Sequence, residues 1–142
     1  MNDPTPQEPE GLEPALERLA AGLSAMGAGD PAPYVALWGQ GPDVTLFGAW
    51  GPIERGNADV TRTFEWVGSR FSDGAIVPRH DVVHVEGDLA VTVGLEHGDV
   101  RVDGGDLRSM TLRVTHVLRR LNGTWRLVHR HADFPPRDQR TS

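Results

Sequence analysis

From Gly74 to the end, nearly every residue reads as strand. Four segments, 75–86, 88–101, 107–121 and 124–133, are rich in β-branched residues. They are separated by Gly87-Asp88, Asp103-Gly104-Gly105-Asp106 and Asn122-Gly123, which are turn signals. Connections this short cannot hold a crossover helix, so the strands must form an antiparallel meander. A meander with one apolar face needs a cover. Only the first 74 residues can supply it, and they read as helices.

Leu12, Leu16, Leu19, Leu23 and Met26 repeat at three- and four-residue spacing, which predicts an amphipathic helix ending near Gly27 and Gly29. Asp30-Pro31 reads as a cap with proline at the first helical position, opening a short helix through Tyr34 and Leu37-Trp38. Val44 to Phe47 reads as a short strand, and Gly48 to Gly56 as a loop. Val60, Phe64, Val67 and Phe71 predict a helix over 57–71. The fold class is therefore α+β, one domain over 12–134. Its flanks, 1–11 and 135–142, are expected to be disordered tails.

The 142-residue chain has no cysteine, which excludes thiolate metal sites and thiol nucleophiles. Residues 1–100 carry 5 Arg and 16 acids; residues 101–142 carry 9 Arg and 4 acids; lysine is absent. The overall charge of −6 argues against general nucleic-acid binding. No apolar run approaches a membrane span, and the acidic, proline-rich start does not read as a secretory signal. The expectation is a cytoplasmic protein with no nucleic-acid or membrane partner.

Three stretches carry a resemblance. They are Tyr34-x-x-Leu37-Trp38, Asp43 to Gly48, and Leu112-Arg113-Val114-Thr115-His116-Val117 continuing through Arg119-Arg120, Asn122-Gly123 and Trp125 to His131. Together they make the chain similar to the SnoaL-like branch of the nuclear transport factor 2-like superfamily. The superfamily includes ketosteroid isomerase, polyketide cyclases, limonene epoxide hydrolase and the calcium/calmodulin-dependent kinase assembly domain. The resemblance implies a cone: three helices on a strongly bent antiparallel sheet, one deep pocket, and dimers formed through the sheet.

Six histidines are the evident chemistry: His80, His84, His97, His116, His129 and His131. Their facing depends on the Asn122-Gly123 turn. A two-residue loop sets His116 opposite His129; a three-residue loop with Gly123 in a bulge sets it opposite Val128, with Arg130 on the same side. Apolar patterning favours the first register. The resemblance favours the second, because relatives place an aspartate at the position of His116 and a catalytic carboxylate at that of Arg130. The expectation follows the resemblance: His116 and Arg130 point into the cone, joined by His97 on strand parity, and His129 and His131 point away.

With His116 and Arg130 at those two places, the family's carboxylate signature is absent. Arg130 would fork an anionic ligand, and Trp38, Phe47, Trp50, Phe64 and Trp66 would wall the pocket. Three readings follow. One is a small-molecule-binding protein whose His and Arg suit an anionic metabolite. The second is an enzyme of the isomerase, cyclase or hydratase kind with His116 as general base. The third is an assembly domain with a vestigial pocket. His129-x-His131-x-Asp133 has an alternation that could suit a metal with Glu96 as fourth ligand. The expectation is instead no metal and no cofactor, with these residues joining Arg113, Thr115 and Glu96 in a polar layer on a homodimer face.

Overall fold

The computed structural model describes residues 8–51 and 53–137. Three helices come early: α1 (Leu12–Gly27), α2 (Ala32–Val35) and α3 (Asn57–Arg70). Two three-residue strands, β1 (Thr45–Phe47) and β2 (Ile53–Arg55), precede α3. Four long strands follow: β3 (Phe71–Glu86), β4 (Leu89–Val102), β5 (Leu107–Leu121) and β6 (Thr124–Asp133). They form one sheet in the order β2-β1-β6-β5-β4-β3. All neighbours are antiparallel except β1 and β6. The helices cover one face, burying Leu19, Leu23 and Met26 of α1 and Val60, Phe64 and Val67 of α3. Asp30 Oδ1 accepts the Ala32 N–H at 3.1 Å, capping α2 as the sequence predicts.

The sheet bends where two glycines allow it. The β3–β4 ladder slips register between Ser72 and Ala75 and again between His80 and Val82. A Cβ on Gly74, inside the first slip, would stand 2.0 Å from the Asp99 carbonyl oxygen. A Cβ on Gly94, beside the second, would stand 2.1 Å from that of Arg79. Only a residue without a side chain permits such close backbone approach, and bulges increase local twist. The curvature wraps the sheet around the helices and leaves a hollow between them.

Three expectations are corrected. The loop over 48–56 contains β2, which pairs Ile53 with Phe47. The stretch expected as a tail through residue 11 is anchored at its end. Glu10 accepts from Trp125 N and Nε1, and its carboxylate takes the Arg18 guanidinium at 2.7 Å. The remainder of the expected tails, 1–7 and 138–142, lies outside the described residues.

The third correction is the β5–β6 register. Asn122 and Gly123 have φ of 51° and 80°, and Leu121 pairs with Thr124, so the loop is the two-residue type with both φ positive. A bulge then intervenes. Leu118 pairs with Leu127 but Val117 pairs with His129, leaving Val128 as the extra residue. Beyond it His116 sits opposite Arg130. The two-residue register holds from Leu121 to Leu118 and neither expected register holds at His116: the three-residue loop is absent, and the bulge carries out the change of face it was meant to explain.

Candidate functional site

β5 and β6 carry His116 and Arg130 side by side on the inner face, with 2% and 6% of their surfaces exposed. β4 adds a third group. His116 pairs with Thr92 and Leu112 with Glu96, so the even-numbered residues of β4 share that face. Glu96 is therefore inside, 2% exposed, and not on the outer layer where the sequence reading put it. His97 is correspondingly outside, its Nδ1 3.2 Å from Thr111 Oγ1 on the open sheet surface. The two are chain neighbours that differ only by parity, and a single step exchanges the faces.

Glu96 and Arg130 form a bidentate pair: Nη1 donates to Oε2 at 2.6 Å and Nη2 to Oε1 at 2.8 Å. The fork expected to hold a ligand's carboxylate already holds the protein's own. Arg130 Nη1 also lies 3.2 Å from His116 Nε2 and donates to Tyr34 Oη at 3.4 Å. Tyr34 Oη is 2.8 Å from the same His116 nitrogen. A guanidinium has only donors, so His116 Nε2 must present its lone pair, which places the imidazole proton on Nδ1. Tyr34, wholly buried on α2, then donates to it.

The electrostatics agree. Burial lowers the His116 pKa well below the usual value, and the Arg130 charge adds to that, with smaller contributions from His80 and His129. His116 is neutral at pH 7. Burial raises the Tyr34 pKa beyond the range of neutral solution, although Arg130 opposes it. Burial alone would lower Arg130, but Glu96 and Tyr34 more than reverse it and keep the guanidinium charged. The cluster is one cation, one anion and two neutral groups.

This cluster closes one end of a cavity. Its space, mouth included, is about 520 Å³, of which only about 40 Å³ admits the centre of a water molecule. It is narrow. Apart from Tyr34, Thr63, Glu96 and Arg130 the walls are apolar, with Leu23, Met26, Phe64, Ile76, Met110 and Leu112 prominent. The Gly48-to-Gly51 turn and its Trp50 stand at the mouth.

The expected wall residues divide. Phe64 and Trp50 line the cavity. Trp38 is fully buried behind it, against Tyr34 and Phe64. Trp66 is 48% exposed and lines a surface groove instead. Phe47 faces out: β1 pairs with β6 so that Leu46 accompanies Arg130 inside and Phe47 accompanies His131 outside, its ring edge-on to His129 and His131. His116 does not line the main cavity; it lies behind Tyr34 and Arg130, beside a small void shared with His80 and Thr92. Among the described residues no group of histidines and acids is arranged to hold a metal. Tyr34 and Glu96 are the site residues that sequence reasoning did not place in the pocket. Tyr34 stood in a quoted motif without a site role, and Glu96 was one step off in parity.

A family model described as the SnoaL-like domain matches residues 16–136. Solved structures share the fold. A provisionally assigned calcium/calmodulin-dependent protein kinase II association domain from Xanthomonas campestris superposes with a TM-score of 0.73 at 16% identity, over 95% of this chain and 99% of its own. A nuclear transport factor 2-like superfamily protein from Salmonella enterica serovar Typhimurium gives 0.71 at 24% identity, over 91% and 96%. A provisionally assigned dehydratase of the same family from Streptomyces avermitilis gives 0.68 at 22% identity, over 88% and 94%. No curated protein matches the chain. Among the described residues no helix is long and apolar enough to cross a membrane.

Proposed function

The chain belongs to the SnoaL-like domain family, of the nuclear transport factor 2-like fold, and from that premise we propose that its cone binds a slender small molecule that is apolar and uncharged over the part that enters. One observation carries this reading: the charged groups reaching the cavity, Glu96 and Arg130, are committed to each other. A ligand anion would have to break a buried bidentate pair to reach Arg130, which costs several kcal/mol. An apolar ligand gains from covering Phe64, Ile76 and Leu112 and disturbs nothing. Calorimetric titration with 1-octanol tests it. Saturable binding to the native protein, weakened at least tenfold by Thr63→Trp at the mouth, is expected. Binding that is absent, or unchanged in that variant, contradicts it.

A second reading, acid–base catalysis, is supported by one specific feature. Glu96 faces the cavity while its partner Arg130 touches Tyr34 and His116, a connected row of proton-carrying groups. In that reading the base in contact with substrate is Glu96, and His116 positions Tyr34 and Arg130 from behind. Turnover abolished by Glu96→Gln but retained in His116→Gln distinguishes it from a His116 base.

The outer sheet face, with Val77 and Val93 exposed at 59% and 40%, suits a homodimer. Light scattering giving twice 15.5 kDa at micromolar concentration supports that assembly, and a monomer mass removes it.

A further inference from the structure

The cavity does not end at its mouth. A groove of the surface, walled by Trp50, Gly51, Glu54, Asp59, Arg62, Thr63 and Trp66, lies against it. Trp50, Gly51 and Thr63 belong to both spaces, so only the turn before β2 and one turn of α3 stand between cavity and groove. We propose that the two form one ligand path, and that the ligand carries a cationic group at the end left in the groove. The proposal rests on the cavity reading above and adds the charge of the part that stays outside.

Along the path the charges are paired with one exception. At the inner end Glu96 and Arg130 neutralise each other. In the groove Asp59 is paired with Arg62, its neighbour on α3. Arg70, beside the groove, is held by Asp103 through two hydrogen bonds of 3.2 and 2.8 Å. Glu54 alone has no cationic partner among the described residues. Its direction is set by the β1–β2 register, which pairs it with buried Leu46 and so turns it to the cone side, under α3. It is half-buried there, a carboxylate lining the groove with no ion pair among the described residues, because the groove's own cation, Arg62, is paired with Asp59.

The aromatic walls favour the same charge. The Arg70 guanidinium stands 5.7 Å from the Trp50 ring and 5.0 Å from that of Trp66, and its tie to Asp103 fixes it there. Both indoles are thereby held at the groove. One cation, the Arg70 guanidinium, already stacks against both, so these rings accept positive charge; they offer nothing comparable to carboxylates. An unpaired carboxylate in a groove that two tryptophans also line recognises an organic ammonium, while the apolar cavity beyond accepts the chain that bears it.

Three probes of equal length read this out: octylammonium, 1-octanol and octanoate, titrated calorimetrically at pH 7. The expected order is octylammonium over octanol over octanoate, with roughly fivefold between the first two, the size of one half-exposed charge contact with aromatic support. Glu54→Gln should bring octylammonium to the level of octanol and leave octanol unchanged. Trp66→Ala should reduce the ammonium preference without abolishing octanol binding. Octanoate binding as tightly as octylammonium, or an ammonium preference that survives Glu54→Gln, overturns the proposal while octanol binding preserves the cavity reading. Failure of all three to bind the native protein overturns both.

Discussion

The sheet carries two bidentate arginine–carboxylate pairs of almost equal geometry, one on each face. Inside, Arg130 holds Glu96 at 2.6 and 2.8 Å. Outside, Arg113 holds its cross-strand neighbour Asp133 at 2.6 and 2.7 Å. Their side chains are 7% and 2% exposed in the first pair, and 52% and 45% in the second. Distance alone would rank them together. Burial separates them, because water screens the outer pair and competes for its hydrogen bonds, whereas the inner charges have only each other. The inner pair is therefore both a structural commitment and the reason the cavity offers no free cation.

The largest effect should come from breaking the inner pair on one side. Arg130→Met leaves Glu96 buried without a counter-charge and should destabilise the protein by about 3–5 kcal/mol in urea denaturation. Arg113→Met, by contrast, should leave the urea midpoint within experimental scatter. Comparable losses in the two variants would break the comparison.

A smaller loss is expected where the sheet bends to enclose the inner pair. Gly94→Ala puts a Cβ against the Arg79 carbonyl, and should cost about 1–3 kcal/mol, the usual range for overpacking. An unperturbed midpoint would show that the bend does not depend on that close approach.

Smaller again is a pH effect confined to the inner face. The His116 pKa is depressed in the folded protein, so below about pH 6.5 the unfolded chain binds a proton that the folded one refuses. Stability should be full above that pH and fall as pH drops toward 5, by at most about 1.4 kcal/mol per pH unit from this group. His80 and His129, also lowered by burial, act in the same direction. His116→Gln should flatten the slope measurably. A slope identical to that of the native protein would mean His116 is not held neutral.

The two faces also differ in how far the sequence disclosed them. The helix over α3 was legible because Val60, Phe64 and Val67 stand four and three apart and all three are buried. The meander was legible because its turns carry Gly, Asn and Asp. Which residues of β4 face inward was not. The outward Val91, Val93 and Leu95 are more apolar than the inward Ala90, Thr92, Gly94 and Gly98, since the inner face needs small residues where the sheet bends. Hydrophobicity therefore offered nothing to correct the strand parity that took His97 in and left Glu96 out. The bulge at Val128 has no residue signature either, and it alone brings His116 opposite Arg130. β2, three residues between glycines, was too short to show a period.

A double-mutant cycle on Glu96 and Arg130 tests the central claim, that these two groups are committed to each other and not to a ligand. Glu96→Met, Arg130→Met and the double variant would be compared by urea denaturation, with 1-octanol titrated into the double variant. The double variant should regain most of what either single variant loses, a coupling of several kcal/mol, and still bind octanol. Additive losses, with coupling below about 0.5 kcal/mol, or octanol binding that vanishes with the pair, would contradict it.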